Sequence, residues 1–498
     1  MVLSTQRSPP PRVRDRRWKA LVPFLYDWFT HHRLVWPSLT CRWGPVLERQ
    51  DYKHKQRVYV SEQTDGTAPN TLQIVDFHIV QKRVASTDQM IFDEEARSKF
   101  QKKHKTIVHP GEVNKIREFE KSPNLIVTHS DAPELFVWDV DKQPGYKQPP
   151  RGGNSAAGAG GGDGAGPSDA PKSRPDLVLV GHEENAEFAL AVHRDSFHVA
   201  SGGKDTAVLL WDVADHDGGS IWNRAGSKPR GGESGSAGAG VGARSGDFEG
   251  APTLAPKMRF AWHKDTVEDV SFHPADDLQL CSVGDDGALV FWDGRRNGTN
   301  PAHSVSKAHD DDVHCVDWSV LDEHLVVTGS ADHTVKLWDR RKLARANGGD
   351  CCVHTFNLHT DAITTVQWCP DQRGVFASGG EDGLLNVWDV NKIGATQTPE
   401  REKAGKPEII FQHAGHRSQI ADFHWNPFDP WTMISASTGD GGNSLQIWRM
   451  NDLIYRPEEE ALAELEKHKM AVCGAPKEAK EGEEAGRDVG SGGDAMVE

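Results

Sequence analysis

Short stretches in which apolar and polar residues alternate recur along this chain, and six of them end on a tryptophan. Four read as a strand closing on Trp-Asp: F-V-W-D-V at Trp138, V-L-L-W-D-V at Trp211, V-K-L-W-D-R at Trp338 and L-N-V-W-D-V at Trp388. F-W-D-G at Phe291 is a near copy, and I-W-R-M at Ile447 is a degenerate last one. Runs of this length and composition, bounded by Gly, Asp and Ser, predict β-strands. Each tryptophan also follows a histidine. His109–Trp138, His182–Trp211, His263–Trp292, His309–Trp338 and His359–Trp388 are all 29 residues apart, and His416–Trp448 is 32 apart. A fixed period of this kind marks stacked units, and His followed by Trp-Asp marks four-stranded propeller blades.

Between successive motif tryptophans the spacings are 73, 81, 46, 50 and 60 residues, whereas a plain blade needs about 40–45. The surplus in the first two intervals is Gly-rich: residues 151–166 hold eight glycines, and 214–250 are similar. Such sequence buries too little apolar surface to offset its ordering entropy. It predicts disordered insertions at about 143–174 and 214–254, leaving between the third and fourth strands of a blade, opposite the His-bearing loops. Upstream of His109, S-L-T-C-R-W (38–43), R-V-Y-V-S-E (57–62) and T-L-Q-I-V-D-F (71–77) predict a seventh blade without the Trp-Asp signature.

The expected fold is therefore all-β, a seven-bladed propeller over 34–456 with a helix at each end. At 18–33, Trp18, Leu21, Val22, Leu25, Trp28 and Phe29 fall at helical spacing, with Pro23 suited to a first turn. Pro457 opens an acid-rich helix over 457–469, and an acidic tail, 470–498, is expected to be disordered, as is a basic N-terminus, 1–17.

Composition narrows the function classes. No apolar run approaches eighteen residues, so no membrane span is expected. Seven cysteines without a C-x-x-C pair read as half-buried thiols rather than disulfides or zinc ligands. Net charge is −16; residues 458–498 hold 12 acids and 5 bases, and residues 1–19 hold 6 bases and 1 acid. An acidic body argues against sequence-specific nucleic-acid binding and suits a basic partner. Basic runs at 12–17 and 99–105 are candidate nuclear-import signals.

A hydroxyl lies ten residues before most motif tryptophans (Thr128, Ser201, Ser282, Thr328, Ser378) and an aspartate six before (Asp205, Asp286, Asp332, Asp382), with Asp131 offset by one. Ser, His and Asp together evoke a hydrolase. A set repeated about five times beside a buried tryptophan instead reads as a structural hydrogen-bond chain through His109, His182, His263, His309, His359 and His416. One histidine per blade is also too dispersed to share a metal. No catalysis, cofactor or metal is expected.

Function should reside where the copies differ. Positions three and five after each histidine enter the innermost strand at the channel rim: Glu112 and Asn114, Asn185 and Glu187, Thr266 and Glu268, Asp312 and His314, Ala362 and Thr364, Gln419 and Ala421. Four acids from four adjacent blades, with nothing basic among these positions, predict a grip on a basic peptide. A second candidate is an apolar groove formed by Leu25, Trp28 and Phe29 with Ile409, Ile410 and Phe411. A third is the pair of Trp-Asp-x-Arg ends, Trp338-Asp339-Arg340-Arg341 following Asp332, and Trp292-Asp293-Gly294-Arg295.

W-K-A-L-V-P-F-L-Y-D-W at Trp18, L-V-W-P-S-L-T-C-R-W at Leu34, H-P-G-E-V-N at His109, A-H-D-D-D-V-H-C-V-D-W at Ala308 and F-H-W-N-P-F-D-P-W at Phe423 resemble the retinoblastoma-binding / multicopy-suppressor-of-ira (MSI-type) histone chaperones. The resemblance covers about 18–465, insertions excepted. S-E-Q-T-D-G-T-A-P-N-T-L (61–72) and E-E-A-R-S-K-F (94–100) are similar to the plant subgroup of the flowering-time regulator FVE. It implies a nuclear, non-enzymatic histone-binding subunit shared by deacetylase, Polycomb and chromatin-assembly complexes, repressing developmental genes. It also implies a histone tail held at Glu112, Asn114, Glu187 and Glu268, and a histone-fold helix beside the N-terminal helix. This sequence departs at R-E-K-A-G-K before Pro407, where animal relatives carry acids, and at Asn185, where an acid is expected. Its Trp-Asp-x-Arg ends are similar to those of cullin-RING substrate receptors, which implies an alternative role through Arg341 and Arg295 on a ligase adaptor.

Overall fold

The computed structural model describes residues 11–82, 101–146, 173–216, 251–296, 300–343, 351–397 and 405–473, together with 399 and 402. The cores of both expected insertions and most of the acidic tail lie outside these residues. Among them the strands form seven sheets. Blade 1 is the unit without a Trp-Asp signature, built from Cys41–Arg49, Lys53–Glu62, Thr71–Val80 and Gln101–Val108. Blades 2 to 7 begin on Lys115–Phe119, Leu190–Val192, Val267–His273, Val313–Trp318, Ile363–Trp368 and Gln419–Trp425, and run outward through antiparallel neighbours. The period read from the motif tryptophans is thus the blade repeat.

The N-terminal element departs from expectation. Helix runs over Pro11–Leu25, so residues 11–17 are helical, and Tyr26–Arg33 is a strand. Trp28 and Phe29 therefore lie on a strand rather than a helix. Pro23, near the helix end, removes an amide donor, and the aromatic and β-branched residues that follow suit an extended chain. Tyr26–Arg33 pairs antiparallel with Ser444–Met450 as the outermost strand of blade 7, with Tyr26 opposite Met450 and Arg33 opposite Ser444. The first strand of the chain thereby closes the last blade and covers its edge. Trp18 docks the helix onto this strand: its indole N–H donates to the Tyr26 hydroxyl at 2.9 Å, and its ring meets Phe29 at 5.4 Å.

A second set of tryptophans joins the blades. The backbone N–H of Trp318 donates to Ser271 Oγ (3.2 Å), that of Trp368 to Asp317 Oδ2 (2.7 Å), that of Trp425 to Gln367 Oε1 (3.2 Å) and that of Trp43 to His424 Nδ1 (3.0 Å). Each acceptor sits on the innermost strand of the preceding blade, so four successive junctions, including the one back to blade 1, close alike. Burial pushes His424 well below its ordinary value, which keeps it neutral and able to accept. Burial pushes the Asp317 carboxyl up to about 7 despite the Trp368 amide.

The end of the second insertion is not wholly irregular. Thr253–Leu254 pairs in parallel with Leu177–Leu179, giving blade 2 a fifth strand from a segment expected to be disordered. Residues 213–215 form a 3-10 turn capped by Asp212. Residues 452–498 form a separate unit, in which a helix spans Glu458–Cys473 directly after Pro457 and extends past the expected end at 469.

Candidate functional site: the top face of the ring

The loops entering each innermost strand carry the repeated histidines. In blades fed by His263, His309 and His359 the same chain of bonds recurs. The indole N–H of Trp292, Trp338 or Trp388 donates to Ser282, Thr328 or Ser378 at 2.8–2.9 Å. The same hydroxyl lies 2.7–2.8 Å from histidine Nε2, and Nδ1 lies 2.9–3.0 Å from Asp286, Asp332 or Asp382. A carboxylate only accepts, so Nδ1 carries the ring proton, Nε2 accepts the hydroxyl proton, and the hydroxyl oxygen receives the indole. Burial raises these carboxyls, but the histidine bonds outweigh it and hold all three below the ordinary range.

The other copies vary. His182 bridges Asp205 (3.0 Å) and Ser201 (3.1 Å), while Trp211 donates to the Val180 carbonyl. His109 meets Thr128 at 2.8 Å and the Gly111 carbonyl at 3.0 Å, and burial lowers it to about 4. Asp131 instead accepts from the Glu112 amide. His416 lies between Ser435 (2.7 Å) and Ser444 (2.9 Å), with no aspartate in the chain. Ser201, Ser282, Thr328 and Ser378 are wholly buried, so these hydroxyls face no substrate. Ser282→Ala should strip a partner from both Trp292 and His263 and cost about 2–4 kcal/mol. Urea unfolding measures it, and a loss under 1 kcal/mol would show the chain to be dispensable.

The rim positions gather unevenly. Glu187, Glu268 and Asp312 come from blades 3, 4 and 5. Burial, then Asp285, push Glu268 up to about 7, with Glu187 adding to the effect. Burial, then Asp312, push Asp285 up to about 6. His314 donates from Nδ1 to the Ile363 carbonyl at 3.1 Å, and Asn114 is buried. Glu112 is half-buried and takes the Gln63 amide at 2.6 Å. Asn185 is half-buried, and its carbonyl accepts from the Lys204 amide.

Two rim residues escape a reading based on the histidine alone. Asp285 joins the acids, whereas Lys204 Nζ lies 2.7 Å from Glu187 Oε1 and puts a cation among them. Both immediately precede a repeated aspartate, as do Ala331 and Glu381. The four backbone amides there donate to the carbonyls of Asn185, Thr266, Asp312 and Ala362 at 2.9–3.0 Å. That bond seats each such residue beside a rim position, so variation just before a fixed aspartate was the available signal.

The groove residues divide differently from expectation. Trp28, Phe29 and Phe411 are buried in the core, while Leu25, Ile409 and Ile410 are half-buried. The exposed apolar surface of the N-terminal helix is Leu21 and Phe24, 49% and 72% accessible. At the Trp-Asp-x-Arg ends, Trp292, Trp338 and Asp339 are buried and Asp293 is half-buried. Arg341 closes on its own Asp339, with Nη2 at 2.7 Å, and Arg295 grips Asp276 through two 2.9 Å bonds. Among the described residues no His, Cys, Asp and Glu group is arranged to hold a metal.

A ring of seven blades pinned by buried His–hydroxyl–Trp chains, with carboxylates on its top face, is a WD-repeat interaction propeller. Residues 173–212, 255–293, 300–339 and 350–389 match the WD domain, G-beta repeat. Residues 14–81 match the family of the histone-binding protein RBBP4, a component of the CAF1 complex. The WD-40 repeat-containing protein MSI4 of Arabidopsis thaliana is 50% identical over 473 residues, 94% of this chain and 87% of the relative. The chain belongs to the MSI-type family of histone-binding WD-repeat proteins. None of these likenesses supports the ligase-adaptor alternative.

Proposed function

We propose that the protein is a non-enzymatic nuclear scaffold that holds core histone tails across the top of the ring and presents them to repressive chromatin enzymes. The observation that carries this reading is the convergence of Glu187, Glu268, Asp285 and Asp312 from three consecutive blades. Burial and mutual repulsion raise two of these carboxyls toward neutrality, so the site is short of positive charge. A lysine or arginine from a ligand relieves that repulsion, and each charge-assisted contact is worth roughly 1.5–3 kcal/mol. The partners such a scaffold serves are histone deacetylase and Polycomb-type subunits, with flowering regulators among the genes repressed.

The titration gives a test with a defined sign. Glu268 faces Asp285, Lys115, Asp269 and Glu187. It is half protonated near pH 7 and gains charge as pH rises, so affinity for a histone-tail peptide should increase from pH 6 to pH 8. Glu268→Gln should lower the affinity at pH 8 and flatten the profile. An affinity that falls or stays level over that interval in the unmodified protein would count against the rim as the tail site. Affinity purification from nuclei identifies which complex holds the protein.

A further inference from the structure

Blade 7 breaks the rule followed by its neighbours in a way that changes the charge of the top face. In the blades fed by His182, His263, His309 and His359 the turn between the second and third strands brings a carboxylate to histidine Nδ1. In blade 7 that turn is T-G-D-G-G-N-S (438–444), and Nδ1 of His416 meets the Ser444 hydroxyl instead. The negative charge that stands under the other loops is missing here.

A cavity of about 150 Å³ occupies the place, lined by His31, Arg33, Gly415, Arg417, Gly441, Gly442, Asn443 and Ser444. His31 and Arg33 come from the closing strand, Arg417 from the His-bearing loop and the glycines from the turn. The Gln446 amide donates to His31 Nδ1 at 3.1 Å, which leaves the imidazole proton on Nε2. The turn packs tightly: a β-carbon on Gly441 would lie 2.6 Å from both the Arg417 carbonyl and Ser418 Oγ. Gly442 has φ +109°, where a side chain is strained. The glycines leave exposed main chain where side chains would otherwise fill the opening. Ser418 Oγ is buried against this turn without a hydrogen-bond partner. Asp440, the one acid of the turn, does not line the cavity.

Two guanidiniums, an imidazole N–H and bare backbone form a receptor for a tetrahedral oxyanion, which arginine binds through paired N–H groups. The cavity is too small for a drug-sized ligand. A polyanion such as DNA would meet the acids of blades 3 to 5 on the same face, whereas a basic peptide bearing one phosphate matches both regions. Resting on the tail-binding reading, the geometry points to a second subsite at blade 7 that takes a phosphorylated serine or threonine of a basic peptide held at the rim.

The test uses the full chain and a basic 15-residue histone-tail peptide, unmodified or carrying one phosphoserine stepped along its length. At the register that spans both regions the phosphopeptide should bind about tenfold tighter than its unmodified counterpart. Arg33→Ala with Arg417→Ala should erase that increment and leave the unmodified peptide's affinity unchanged. Both arginines are exposed, so folding should survive, which circular dichroism verifies. Equal or weaker binding of the phosphopeptide at every register overturns the subsite, as does an increment that survives both substitutions. Arginine-dependent binding of duplex DNA in place of the phosphopeptide also overturns it. Failure of the unmodified peptide to bind at all overturns the tail reading instead.

Discussion

Arg449→Met is expected to cost about 3–5 kcal/mol of stability, the range for removing one side of a buried ion pair. Arg449 is 1% exposed on the strand that pairs with the closing strand. Its Nε donates to Asp27 (2.8 Å), Nη1 to Asp429 (2.7 Å) and Nη2 to the Val80 carbonyl (2.8 Å). One guanidinium therefore ties together the closing strand, the third strand of blade 7, the turn before its second strand and the end of blade 1's third strand. Methionine fills similar volume but leaves two nearly buried carboxylates without that cation. Chemical denaturation reads the loss, and adding Asp27→Asn and Asp429→Asn to the variant should recover part of it, because those changes remove the stranded charges. A cost below 1 kcal/mol would mean that the ring closes without this clasp.

Glu187→Lys combined with Glu268→Lys should lower histone-tail affinity by at least about 100-fold, since two contacts of roughly 1.5–3 kcal/mol each become repulsive. Glu381→Lys, in the equivalent turn of blade 6, serves as a control and should change little. Lys204→Ala should strengthen binding severalfold, because Lys204 pairs with Glu187 at 2.7 Å and competes with the ligand for it. Isothermal titration calorimetry separates these outcomes. Unaltered affinity in the double reversal would remove the basis for the proposed site.

The blades were legible because each repeat writes its own period: histidine, hydroxyl and tryptophan are fixed by one buried hydrogen-bond chain. Blade 1 could be placed by strand pattern alone, although it lacks the Trp-Asp mark. Tyr26–Arg33 was not legible. Trp28 and Phe29 complete a helical face begun at Trp18, and only a partner strand far along the chain, Ser444–Met450, decides the conformation. Tertiary pairing overrode local pattern there. The inner tryptophans, Trp43, Trp318, Trp368 and Trp425, were visible as residues but not as blade clasps, because their acceptors lie on the preceding blade. At the rim, counting from histidine found Glu187, Glu268 and Asp312 but missed Asp285 and Lys204, which reach the same place from a turn about twenty residues later. That turn is brought near by backbone bonds that no spacing rule reports.

The pairing of Tyr26 with Met450 also bears on how the molecule is born. Some 420 residues separate the two, so at about 5–20 residues per second a ribosome leaves the first strand bare for roughly 20–80 s. Throughout that wait its amides and aromatic side chains are open to stray pairing, and the last blade must recruit a strand synthesised long before it. Release from the ribosome, rather than completion of any single blade, is then the moment at which the circle locks, and holding chaperones should matter most just before it.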